Sequence, residues 1–128
     1  MTEKLRSPLG RAYGLGSAHE GAKDWWVMRL SSLALIPLTV WFVVSVIGNV
    51  GADFETFTGW VGSPVPAILL AILIGVTFHH AAHGLQVVIE DYVHVEWQKL
   101  TLLIAVKFGC VLLAVAGIFA VARIAFGS

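Results

Sequence analysis

The sequence predicts an all-α fold: a bundle of three transmembrane helices that forms part of a larger hetero-oligomeric membrane domain. Of 128 residues, 58% are hydrophobic and 12% charged, with a mean hydropathy of +0.85, a balance outside that of soluble domains. Three stretches, each nearly or wholly free of Asp, Glu, Lys and Arg, reach the ~20 residues a helix needs to cross hydrocarbon. Three helices offer too little facing surface to enclose a large cofactor or a substrate path, so further membrane chains are expected beside them.

Residues 1–24 read as a polar arm and 25–128 as the membrane domain, with spans at about 28–51, 66–90 and 100–123. The arm lacks the continuous apolar run of a secretory signal, so the first apolar segment is expected to stay in the protein. Span one is uncharged from Leu30 to Ala52. Pro37 lies inside it and is tolerated there, since the Ser31 and Ser32 hydroxyls or neighbouring helices can satisfy freed backbone groups. The following GADFETFTGWVGSPVP, with its glycines, short polar residues, Pro64 and Pro66, reads as a loop. Span two is uncharged by the same count from Ala67 to Ile89, but holds His79, His80 and His83. EDYVHVEWQK is the short polar connector to span three, Leu100–Ala122, which Lys107 alone interrupts.

Basic residues near helix ends are retained preferentially on the cytoplasmic side. Lys4, Arg6, Arg11, Lys23 and Arg29 precede span one, whereas the first loop has no Lys or Arg. A cytoplasmic N-terminus and an outside C-terminus follow. Trp25, Trp26 and Trp97 then fall at the cytoplasmic interface.

Composition also excludes. Eight Lys and Arg balance eight Asp and Glu, which leaves no basic surplus for nucleic acid. Cys110 is the single cysteine, so an internal disulfide framework, an all-cysteine iron–sulfur site and a zinc site of several thiolates are ruled out.

Three histidines inside an apolar span need an explanation. As packing groups, neutral histidines hydrogen-bond across helices. Helical spacing separates them: His80, Gly84, Val87 and Asp91 follow one stripe, and His79, His83, Gln86 and Glu90 the adjacent one. A porphyrin coordinated by a helical histidine lies against that helix and needs a very small residue one turn away. Gly84 supplies this for His80, whereas His83 occupies that place for His79. His80 is therefore the expected haem-iron ligand. Adjacent residues of one helix cannot serve both faces of a ring, and His19 and His94 lie outside the spans, so a second ligand is expected from another membrane chain. A weaker reading pairs His79 and His83 on a zinc-type ion, with Glu90 the one further usual ligand on their stripe.

Glu90, Asp91 and Tyr92 end span two. Such residues commonly mark a helix reaching the interface. Acids at a helix C-terminus nevertheless oppose the dipole, which points to a nearby cation compensating Asp91. The Tyr92 hydroxyl can donate to a carbonyl at the membrane surface, such as that of a quinone headgroup.

The run HHAAHGLQVVIEDYVH resembles the haem- and quinone-binding segment of the succinate dehydrogenase hydrophobic membrane anchor subunits. The likeness rests on a histidine, a glycine four later and an Asp-Tyr pair seven beyond that: His80, Gly84, Asp91 and Tyr92. VMRLSSLALIPLTVWF, with Arg29 at its start, is similar to the family's first helix. The resemblance covers the chain from Trp25 onward; residues 1–24 match nothing diagnostic. It implies a bacterial inner-membrane anchor of respiratory complex II, an electron-transport assembly of the tricarboxylic acid cycle. The partners implied are a cytochrome b membrane subunit, an iron–sulfur subunit, a flavoprotein subunit and ubiquinone. It further implies one b-type haem shared with the cytochrome b subunit, with His80 an axial ligand and Arg29 near a propionate. Tyr92 would touch the quinone carbonyl, and Asp91 would orient an arginine of the partner.

Without that likeness, Arg29 reads as a snorkelling anchor, as does Lys107, which receives no role. The function expected is that of a membrane anchor subunit of succinate:quinone oxidoreductase, with no chemistry of its own in isolation. The alternatives are a small proton-relay or transporter subunit using His79, His83, Glu90 and Asp91, and a purely structural anchor.

Overall fold

A computed structural model describes the backbone of residues 17–127 and the side chains of 22–127. Lys4, Arg6, Arg11 and the His19 side chain, with most of the expected arm, lie outside the described residues. Among the described residues four helices follow one another: α1 (Ser17–Gly48), α2 (Phe54–Val61), α3 (Pro64–Tyr92) and α4 (Glu96–Phe126). α1, α3 and α4 are each long and apolar enough to cross a membrane.

The helix ends differ from the sequence expectation in ways local chemistry explains. Within the described residues α1 runs from Ser17 and so extends beyond the expected span start at about 28, because nothing in SAHEGAKDWW breaks a helix except one tolerated glycine. Its end is a tight turn in which Asn49 Nδ2 donates to the Ser45 carbonyl at 2.8 Å and Gly51 takes φ 84°, a left-handed conformation that favours glycine. The expected first loop contains α2, capped by Asp53, whose carboxylate accepts from the Thr56 N–H at 2.8 Å. Pro64 and Pro66 stand in the first turn of α3 and do not precede it, since prolines there forfeit only N–H groups that have no intrahelical acceptor. The connector shrinks to residues 93–95, with Glu96 in the first turn of α4, where its charge suits the helix dipole.

The chain divides into two compact units, Met1–Leu30 and Ser31–Ser128. In the first, Trp25 and Trp26 meet edge to face at 5.1 Å, and the Arg29 guanidinium lies 4.9 Å from the centre of the Trp25 ring, a cation–π contact.

In the second unit, α3 and α4 pack as an antiparallel hairpin. Gly117 permits the approach, because a Cβ there would stand 3.1 Å from Ile74 Cγ2. α2 lies across the end opposite the 93–95 turn, and its Val61 joins Leu70 and Val121 in a small buried core flanked by Trp41, Trp60, Ala67 and Ile74. Trp41 of α1 stacks on Trp60 at 5.9 Å. Outside this core the long helices present large apolar side chains outward along their length, among them Ile36, Val44, Leu112 and Phe119. A lipid-facing or partner-facing surface requires such a pattern and water does not.

Candidate functional site

His80 sits midway along α3 and turns toward α1. Its Nδ1 lies 3.1 Å from the Ser31 hydroxyl oxygen, and Ser31 is the one buried polar residue among those described. A hydrogen bond from α1 thus fixes the imidazole plane. With Nδ1–H donating to Ser31, Nε2 keeps a free lone pair and is a competent metal ligand; with the hydroxyl donating to Nδ1, Nε2 carries the proton. One turn on, a Cβ at Gly84 would meet nothing within 4 Å. The position one turn from His80 on its stripe of α3 is therefore clear of other side chains to at least 4 Å.

His79 and His83 occupy the other surface, as the spacing predicts. Their rings meet edge on at 4.9 Å, and both line a groove between α3 and α4 with Gln86, Lys107 and Cys110. The zinc-type reading finds no third ligand: among the described residues no three His, Cys, Asp or Glu side chains gather, and Glu90 instead accepts from Gln86 Nε2 at 3.1 Å. Cys110 shares the groove but does not gather with the two imidazoles into a three-ligand group, so the pair lacks the donors of a tetrahedral site.

Asp91 and Tyr92 end α3 and are exposed, Tyr92 by 78%. No basic residue stands in the last turn, so Glu90 and Asp91 face the negative end of the helix dipole without a cation from their own helix. Neither Asp91 nor Tyr92 has a hydrogen-bond partner among the described residues. A pair of groups so placed is available to a neighbour.

Sequence reading did not single out Ser31 as the partner of His80. Its one signal was a serine pair at the start of an apolar span, where a polar side chain needs a hydrogen-bond partner. Likewise, the grouping of Lys107 with His79 and His83 depends on the register of α3 against α4, which no local pattern states.

Three apolar helices long enough to cross a bilayer, joined by short connectors, define an integral membrane protein of the helical-bundle class. The family model for the succinate dehydrogenase/fumarate reductase transmembrane subunit matches residues 3–116, and the chain belongs to that family. It is 34% identical over 122 residues to a succinate dehydrogenase hydrophobic membrane anchor subunit of Paracoccus denitrificans, covering 95% of this chain and 94% of that one. It is 33% identical over 121 residues to the subunit of the same name from Rickettsia bellii (strain RML369-C), covering 94% of this chain and 97% of that one. No solved structure matches.

Proposed function

We propose that this chain is the membrane anchor of a succinate:quinone oxidoreductase, that it binds one face of a b-type haem through His80, and that it forms part of a ubiquinone site through Tyr92 and Asp91. The carrying observation is the ring of His80, held through Nδ1 by Ser31 at 3.1 Å beside the space that Gly84 leaves open. Metal-binding histidines characteristically donate their second ring nitrogen to a fixed acceptor, which sets the tautomer and ring direction. Haem supplies one-electron redox chemistry when bound. Gly84 would give it clearance, and the family likeness alone assigns Arg29 to a propionate.

The work of Tyr92 and Asp91 follows from their position at the polar end of an apolar span. A quinone enters from lipid by its tail and needs polar contacts for its headgroup, so its site belongs where those two environments meet. The Tyr92 hydroxyl donates to a headgroup carbonyl, and the Asp91 carboxylate holds a partner-borne arginine in place. A cytochrome b subunit supplies the second haem ligand. The iron–sulfur and flavoprotein subunits dock on the cytoplasmic face of the bacterial inner membrane, to which the 93–95 connector returns. Five basic residues before the first span and none in the first loop support that orientation.

The reduced-minus-oxidised visible spectrum of the purified complex tests this reading. Wild type should show a b-type haem and an assembled His80→Ala complex should lack it. A normal spectrum in that variant would falsify His80 ligation.

A further inference from the structure

The groove between α3 and α4 is separate from the His80 surface and has a graded lining. The contacts of Gly117 with Ile74 and of Gly75 with Ile118 set the register of the hairpin. Extended toward the 93–95 turn, it brings Lys107 level with Gln86 and Cys110 level with His83. From that end the groove passes from Gln86 and Lys107, through His83 and His79, to Phe78, Val115 and Ile118. Its volume is about 400 Å³. Lys107 is exposed, and among the described residues it has no ion pair or hydrogen bond.

A lone ammonium in a span is costly unless it snorkels or meets an anion. α3 and α4, at 29 and 31 residues, are about 43 and 46 Å long and exceed the ~30 Å hydrocarbon core by roughly 7 Å at each end. Lys107 lies 11 residues into α4, or about 16 Å along it. That depth is within roughly 10 Å of the headgroup boundary, so a stem pointing toward the turn carries its charge toward the phosphate level.

We propose that this groove binds an anionic phospholipid, with its phosphate on Lys107 and Gln86 and an acyl chain along Phe78, Val115 and Ile118. Charge selects the headgroup, and the apolar far end suits a hydrocarbon tail. A partner helix carrying a carboxylate is the competing occupant. A carboxylate-bearing helix would answer only the Lys107 charge, whereas a phospholipid matches both the charged end and the apolar end of the same lining.

The test uses the whole purified complex in nanodiscs of phosphatidylcholine mixed with phosphatidylglycerol, with retained lipid counted by native mass spectrometry after detergent extraction. Wild type should retain phosphatidylglycerol over phosphatidylcholine. Lys107→Gln should lower that retention about 5-fold, the loss of one lysine–lipid interaction at the surface, and Lys107→Arg should restore it. Ala114→Phe, which fills the slot and leaves the charge in place, should lose the lipid as well. Equal retention of the two lipids by wild type overturns the proposal without any variant. So does unchanged phosphatidylglycerol in Lys107→Gln, or a loss of the partner membrane subunit from that variant with its lipid unaltered, which would assign Lys107 to a protein carboxylate.

Discussion

Two adjacent histidines on one helix meet different neighbours because a 100° step turns them apart. His80 meets Ser31, while His79 meets His83. Alanine at 79 or 83 is therefore expected to leave the reduced b-type spectrum intact. Gly84→Leu should diminish it by filling the space beside His80 that now holds no atom within 4 Å of a Cβ. Ser31→Ala is the sharper probe, because it leaves the proposed iron ligand in place. An imidazole that donates from Nδ1 is a more basic ligand and favours the oxidised iron. Losing a hydrogen bond worth about 1 kcal/mol should then raise the haem midpoint potential, by at most about 40 mV for one electron if the whole bond is made in the oxidised state alone, with the haem retained. Ser31→Thr keeps the hydroxyl and should stay near wild type. A potentiometric titration followed at the haem absorption band reads the difference, and an unmoved potential in Ser31→Ala would reduce the contact to packing.

At the scale of elements, what was legible in the sequence depended on whether local chemistry decided the outcome. The three spans were legible because uncharged runs of that length have few other stable states. The two stripes of α3 were legible because helical geometry fixes them. The short helix α2 was not, because its apolar residues are too few for a periodic signal, and its start rests on one side chain, Asp53. The Thr56 side chain and then its backbone N–H hold the Asp53 carboxyl below its ordinary value. A depressed carboxyl contributes its cap fully above the usual carboxylate pKa of about 3.9 and loses it as pH falls through the lowered value. The amide resonance of Thr56 should accordingly titrate with a midpoint below ~3.9, and Asp53→Asn should abolish that titration. The orientation of the spans is a second matter for the elements. Alkaline phosphatase fused after Lys99 should be inactive and fused at Ser128 active, since only the outside face supports that reporter; the reverse pattern would invert the topology.

At the scale of the whole molecule, the described chain buries few apolar residues and turns most of its large ones outward, so on the proposed reading its site is completed by other chains. Tyr92 shows this most directly. It is 78% exposed, stands beside Asp91 at a helix end without a basic residue of its own, and in the proposed function gains a defined environment only in the assembly. There its hydroxyl can meet the oxygen on which negative charge develops as a quinone accepts electrons, and the loss of one such donor costs about 10²–10³-fold in rate in enzymes where it has been removed. Tyr92→Phe keeps the ring and its interfacial packing, and deletes only the donor. Succinate:quinone activity is expected to fall by about that factor, whereas succinate oxidation by a dye that takes electrons from the soluble subunits should stay near wild type. Asp91→Asn should lower quinone activity less, because on the proposed reading its carboxylate holds a cation and does not touch the headgroup. Measuring both acceptors on the same assembled preparation separates a quinone defect from lost assembly. If Tyr92→Phe reduces quinone at the wild-type rate, the hydroxyl is an interfacial anchor, and the headgroup takes its donor from another subunit.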